Sequence, residues 1–125
     1  TFNFSRAGHN PLIYYSVENK ELIWIRPGGI GLGLDSGENF NAAISEQVLH
    51  LQKNDWLILF TDGFTEAMNK NDEEFGEDRL ARIILENIEF SSAEMMSAIR
   101  ASVDAFIDGR PQYDDMTMIV VKCLK

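Results

Sequence analysis

The sequence is poor in residues that staple, span or cleave. It has one cysteine, Cys123, so no disulfide can close within the chain. That cysteine lies in an apolar C-terminal run and reads as a small packing residue. A single unpaired thiol fits a reducing cytosol, so a cytoplasmic location is expected. Neither of the two histidines, His9 and His50, stands in a cysteine-hydrolase pattern. No apolar run reaches the roughly 18–20 residues that span a bilayer, so membrane insertion is not expected. The opening Thr1-Phe-Asn-Phe-Ser-Arg6 lacks the charged start, long apolar core and cleavage site of a signal peptide. It also lacks an initiator methionine, and the chain is expected to begin inside a longer protein. Positive charge is scarce: 11 Lys and Arg against 20 Asp and Glu leave a net charge of −9. Such a surface repels a phosphate backbone, which argues against nucleic acid as a partner. It suits divalent cations or basic partners, although a solvated acidic face is the commoner use of such charge. There is no internal repeat, low-complexity tract or linker, and 125 residues make one domain.

What is present divides into a β half and an α half. Leu12–Val17 and Glu21–Arg26 are rich in β-branched and aromatic residues, with Glu18-Asn-Lys20 as the turn between them. Phe2-Asn-Phe-Ser5 alternates and predicts a further strand. Pro27–Leu34 carries too much glycine for regular structure. Ile44–Leu51 has a period near two. After a turn at Gln52–Asp55, Trp56–Phe60 is continuously apolar, as in a strand covered on both faces. The second half begins with a short helical turn at Thr65–Met68. The stripe of Leu80, Ile83, Ile84, Leu85 and Ile88 predicts a helix over Glu77–Asn87. Ser91 or Ser92 caps the next helix, which is expected to bury Met95, Met96, Ile99, Val103, Phe106 and Ile107 and to end at Asp108–Pro111. Met116–Cys123 reads as the last strand. Strands followed by helices argue for an α+β fold with mainly antiparallel sheets.

Two places have the composition of a site. Asp62 follows the apolar strand directly, and Asp114-Asp115 precede the last one. If those strands are antiparallel neighbours, the carboxylates converge from 52 positions apart. Carboxylates on rigid strand ends suit Mg2+ or Mn2+, hard ions that take oxygen ligands. On spacing alone, two ordinary Asx turns are the commoner explanation. Other candidates are weaker. Gly29-Ile-Gly-Leu-Gly33 is followed by no βαβ unit, and Asp35–Asn39 is not expected to be helical, so a plain glycine loop is preferred. Asn69–Gly76 has Glu74 where a calcium loop needs its glycine. His9, between Gly8 and Asn10-Pro11, reads as part of a turn.

Five segments in order carry a resemblance: "RAGHNPLIYY", "GLGL", "NDWLILFTDGFTEAMN", "FGEDRLARII" and "YDDMTMIVVK". Together they resemble the C-terminal part of the metal-dependent, protein phosphatase 2C-like (PPM) serine/threonine phosphatases, in the SpoIIE and sigma-factor-regulator branch. The resemblance spans about Phe4 to Lys122. It implies a partial α-β-β-α sandwich, with mainly antiparallel sheets and two main helices packed on one side. Residues 1–125 would then be the C-terminal portion of one phosphatase domain. It implies that Asp62 and Asp114 are ligands in a two-ion Mn2+ or Mg2+ site, whose bridging water attacks a phosphoserine or phosphothreonine. Asp115 and Gly63 are expected beside those ligands. The family's N-terminal "GD" strand and "D-x-x-G-H-G" loop are absent, and His9 does not replace them. The chain is therefore expected to hold part of the site and to be inactive alone. By analogy, the parent's substrate is a phosphoprotein such as an anti-anti-sigma factor. The competing reading is a binding module without catalysis. Uncovered sheet surface predicts self-association.

Overall fold

β-branched and aromatic residues cluster in short runs here, and each run that pairs becomes a strand. A computed structural model describes residues 1–125 except Ser36, Gln112 and Tyr113. The elements follow the order β1 (Phe2–Ser5), β2 (Leu12–Ser16), β3 (Glu21–Ile25), α1 (Glu38–Ala43), β4 (Glu46–Leu49), β5 (Trp56–Phe60), α2 (Gly76–Glu86), α3 (Ser92–Ile107) and β6 (Met118–Lys122). One sheet pairs β1 with β4, and the other has the order β3-β2-β5-β6. All pairings between these strands are antiparallel.

The larger sheet is two-faced because its register aligns apolar residues of like parity. Trp24, Ile13, Ile58 and Val120 lie side by side across the four strands. With Tyr15, Trp56 and Phe60 they meet Leu80 and Ile84 of α2 and Met95, Ile99 and Val103 of α3. Each of those helix residues is fully buried, whereas Leu85 and Met96, expected on the same stripes, are exposed, each lying one residue and about 100° round the helix from a buried neighbour. Both main helices thus cover one face of the sheet, as the sequence implied. On the opposite face, Leu57 is buried but Ile119 and Val121 are exposed. The start of α3 is set by a capping box. The Ser91 hydroxyl accepts from the Glu94 N–H at 3.3 Å, and the Glu94 carboxylate accepts from the Ser91 N–H at 2.8 Å. Those bonds from Ser91 hold the Glu94 carboxyl below its ordinary range.

Two expectations of the backbone also fail, both because its groups find other partners. Helix α1 forms across a segment not expected to be helical. The Asp35 carboxylate accepts from Gly37 N–H at 2.9 Å, Phe40 N–H at 3.2 Å and the Asn39 amide at 2.8 Å, which organises the helix start. The Asn39 bond, followed by that from Gly37, lowers the Asp35 pKa. Six residues are too few for an apolar stripe to announce such a helix. Thr65–Met68, in contrast, is not a helical turn. The carbonyls of Thr65 and Ala67 accept from Gly76 and Phe75, each at 2.8 Å, and are lost to helix propagation.

The residue preceding β5 carries unexpected weight. Asp55 is 1% exposed. Its carboxylate accepts from the Tyr14 hydroxyl at 2.9 Å, Val17 N–H at 2.9 Å and Gln52 N–H at 2.8 Å. Its own carbonyl accepts from Cys123 N–H at 2.9 Å. One side chain thereby ties β2 to the entrance of β5. Burial, then the bond to Asp55, push the Tyr14 phenol above its ordinary range. Asp55→Ala orphans two backbone N–H groups and should cost about 3 kcal/mol in urea unfolding. The raised Tyr14 pKa contributes stability that is whole below the ordinary phenol value of about 10 and lost as pH rises through the folded value. Stability should therefore fall above about pH 10, and Tyr14→Phe should flatten that fall.

Candidate metal centre

The site is built where β5 stops and β6 starts. The ladder pairs Phe60 with Met118, and the pairing runs on past both strands. Thr61 N–H donates to the Thr117 carbonyl at 3.0 Å. The Thr61 hydroxyl donates to the Asp115 carbonyl at 2.8 Å and accepts from Thr117 N–H at 3.0 Å. One side chain therefore fastens the exit of β5 to the approach of β6. Asp62-Gly63 is held alongside Asp114-Asp115 as a result.

Gly63 shows how close the two segments come. A Cβ built on it would lie 2.6 Å from the Asp115 carbonyl oxygen and 3.4 Å from that of Asp114. The obstacle is backbone, which cannot swing aside. Gly63 is buried by this contact, whereas Asp62, Asp114 and Asp115 are exposed. Asp114 Oδ1 accepts from the Asp115 N–H at 2.7 Å, which orients the Asp114 carboxylate. After Asp62 the chain turns at once: Phe64 N–H reaches the Thr61 carbonyl at 3.2 Å and Glu66 N–H that of Asp62 at 2.8 Å. The strand thus ends by presenting a carboxylate on a hydrogen-bonded turn.

The structure brings Asp62, Gly63, Asp114 and Asp115 to one end of the sheet. Tyr113, which opens the "YDDMT" segment, lies outside the described residues. Among the described residues, no three Asp, Glu, His or Cys side chains gather closely enough to hold a metal ion. The donors that are present have the right character: exposed carboxylate oxygens on a rigid frame, with no bulk at Gly63. They fit part of a hard-cation site. The other candidates stay apart. His9 is exposed in its turn, and His50 is exposed just beyond β4. In the glycine loop, a Cβ on Gly29 would fall 1.8 Å from the Arg6 carbonyl, so this glycine serves chain packing.

Some neighbours were not found in the sequence. Thr61 carries no assignment from the sequence, although a hydroxyl beside the strand-end Asp is a usable signal. A cavity of about 300 Å3 adjoins Asp114, walled by Gly63, Glu66, Met68, Glu74, Ile107 and Met116 with others including Arg110. Its walls come from two separate segments, so no sequence pattern marks it.

With this geometry in view, the comparisons with known proteins are consistent. The family model for stage II sporulation protein E (SpoIIE) matches residues 1–124. The phosphoserine phosphatase RsbU of Bacillus subtilis is 31% identical over 121 residues, covering 97% of this chain and 34% of RsbU. The SiaA-PP2C domain of Pseudomonas aeruginosa superposes with a TM-score of 0.77 at 18% identity, covering 96% of this chain and 46% of that one. The Mn-presoaked phosphatase domain of SpoIIE from Bacillus subtilis gives 0.61 at 16% identity, covering 98% and 50%. At those identities the two structures show a shared fold, of which this chain spans about half. Gly63→Ala should drive a methyl into the Asp115 carbonyl and lower stability by about 2 kcal/mol, read from urea or thermal unfolding.

Proposed function

The chain belongs to the SpoIIE family, and from this we propose that it is the C-terminal portion of a metal-dependent phosphoserine/phosphothreonine protein phosphatase domain, with Asp62 and Asp114 as metal ligands. The single observation behind this reading is the backbone contact of Gly63 with Asp114-Asp115, which brings the exposed residues Asp62 and Asp114 to one sheet end. Two carboxylates make only part of the octahedral shell that Mg2+ demands, so donors from a further segment complete it. When bound, Mn2+ or Mg2+ supplies Lewis acidity toward a phosphoryl oxygen and lowers the pKa of water. The chain's own residues hold the frame. Asp62 and Asp114 offer oxygens, Thr61 locks the strand ends, and the Asp115 N–H fixes the Asp114 carboxylate.

The substrate in this reading is a bacterial signalling phosphoprotein in the cytoplasm, of the anti-anti-sigma type. RsbU is itself named a phosphoserine phosphatase, and it covers nearly all of this chain. No helix among the described residues is long and apolar enough to cross a membrane. The exposed Ile119 and Val121 on β6 supply an apolar surface for self-association. Sedimentation at rising concentration should show this chain passing from monomer to dimer, and a monomer throughout would refute that part.

A chain extended upstream through the family's "D-x-x-G-H-G" loop should hydrolyse an aryl phosphate only with Mn2+ or Mg2+, and the present chain alone should not. Asp62→Asn and Asp114→Asn should each reduce the extended chain's rate by on the order of 100-fold or more. Full activity in the Asp62→Asn protein would reject Asp62 as a ligand. No turnover with any divalent metal would leave a binding module in place of an enzyme.

A further inference from the structure

The cavity beside Asp114 has features that phosphoryl transfer does not require. Ala67, Met68, Ile107, Pro111 and Met116 give it apolar walls. Glu66 and Glu74 also line it, and both are exposed. Neither carboxylate enters an ion pair or a side-chain hydrogen bond among the described residues. Arg110 also reaches the wall, but its guanidinium donates to the Asn69 carbonyl at 2.5 Å and to Asp72 at 2.6 Å. Asp72 offsets its charge. The balance at the cavity is therefore acidic, on a chain whose net charge is already −9.

The backbone that carries Glu74 is held in a fixed loop. Met68 bridges Glu74 in antiparallel fashion. The bonds Asn69 N–H to Glu73 carbonyl at 3.0 Å and Phe75 N–H to Ala67 carbonyl at 2.8 Å clamp the bridge from either side. At about 300 Å3 the cavity stands at the lower end of ligand pockets, a size suited to a single long side chain.

We propose that this cavity receives a lysine or arginine side chain of the phosphoprotein substrate, placed near its phosphorylated residue. The inference rests on the phosphatase reading, because Asp114 both lines the cavity and is the proposed ligand. A basic side chain matches both features of the wall. Its methylene stem packs on the methionines and Ile107, and its cation meets Glu66 and Glu74. A purely apolar side chain would desolvate those carboxylates without pairing them, which is unfavourable. An acidic one would be repelled.

The methionine methyls report on occupancy. Met68 and Met116 line the cavity, while Met95 is fully buried in the core. The chain, labelled at its methionine methyls, is titrated at low salt with Mg2+ and phosphoserine peptides, each carrying one lysine at a different flanking position. Matched peptides carry norleucine instead. For at least one position, the lysine peptide should shift Met68 and Met116, leave Met95 unmoved, and bind about tenfold tighter than its norleucine match, an advantage that added salt erodes. The double variant Glu66→Gln, Glu74→Gln should erase the difference, with an unmoved Met95 resonance certifying its fold. Equal binding of lysine and norleucine peptides, or binding that moves neither cavity methyl, overturns the proposal. Aryl phosphate hydrolysis by the extended chain involves no basic residue and tests the phosphatase reading separately. Hydrolysis without lysine preference rejects the cavity assignment alone. Absent hydrolysis rejects the phosphatase reading, and the cavity's role in a substrate falls with it.

Discussion

The register of β5 against β6 decides which residues meet at the sheet end. Five ladder positions, from Trp56↔Lys122 to Phe60↔Met118, run between two side-chain fasteners. At one end the Asp55 carbonyl accepts from Cys123 N–H, Asn54 N–H donates to the Cys123 carbonyl, and the Asp55 carboxylate gathers β2. At the other, Thr61 donates and accepts across the gap to Asp115 and Thr117. A slip of one residue would turn every side chain of β6 to the other face. It would bury Lys122's neighbours in place of Val120 and carry Asp114 away from Gly63. The packing of the core and the alignment of the acids are thus one constraint seen at two levels.

The same register explains the asymmetry of the larger sheet. Residues of one parity lie under α2 and α3 and are almost wholly excluded from water. Those of the other parity form a face that is apolar yet partly wet at β6, where Ile119 is 55% exposed. A strand such as Trp56–Phe60, apolar at every position, anticipates cover on both sides. Among the described residues, only the helix side of β6 receives it. Lys122 marks the helix-side edge: its ammonium lies 4.8 Å from the Trp56 ring centre and donates to the Phe90 carbonyl at 2.7 Å.

Much of this was legible in the amino-acid order. The strands around Tyr14, Trp24 and Ile58 announced themselves by β-branched and aromatic clustering, and α3 by its Ser91 cap and the stripe from Met95 to Phe106. The convergence of Asp62 with Asp114 followed from assuming that their strands were neighbours. Spacing alone favours simple turns, and the ligand role of the two residues rests on the family resemblance. The residues missed share a physical cause. Asp35 organises a six-residue helix through bonds that no periodicity encodes. Asp55 looked like one more polar turn residue, because its three donors come from distant and adjacent segments alike. The cavity exists only once the segments around Glu66 and Ile107 are folded together.

The span between Asp62 and Asp114 leaves the sheet at Thr61 and returns at Thr117, and those two residues are bonded to one another. Helices α2 and α3 therefore form a closed excursion from the strand ends. Their length does not set the separation of the acids. Entropy for closing a loop grows only with the logarithm of its length, by about 0.6 kcal/mol per doubling. A lineage could thus lengthen or shorten the connection at Asn87–Ser91, or graft a sensing element there, while the two carboxylates kept their places.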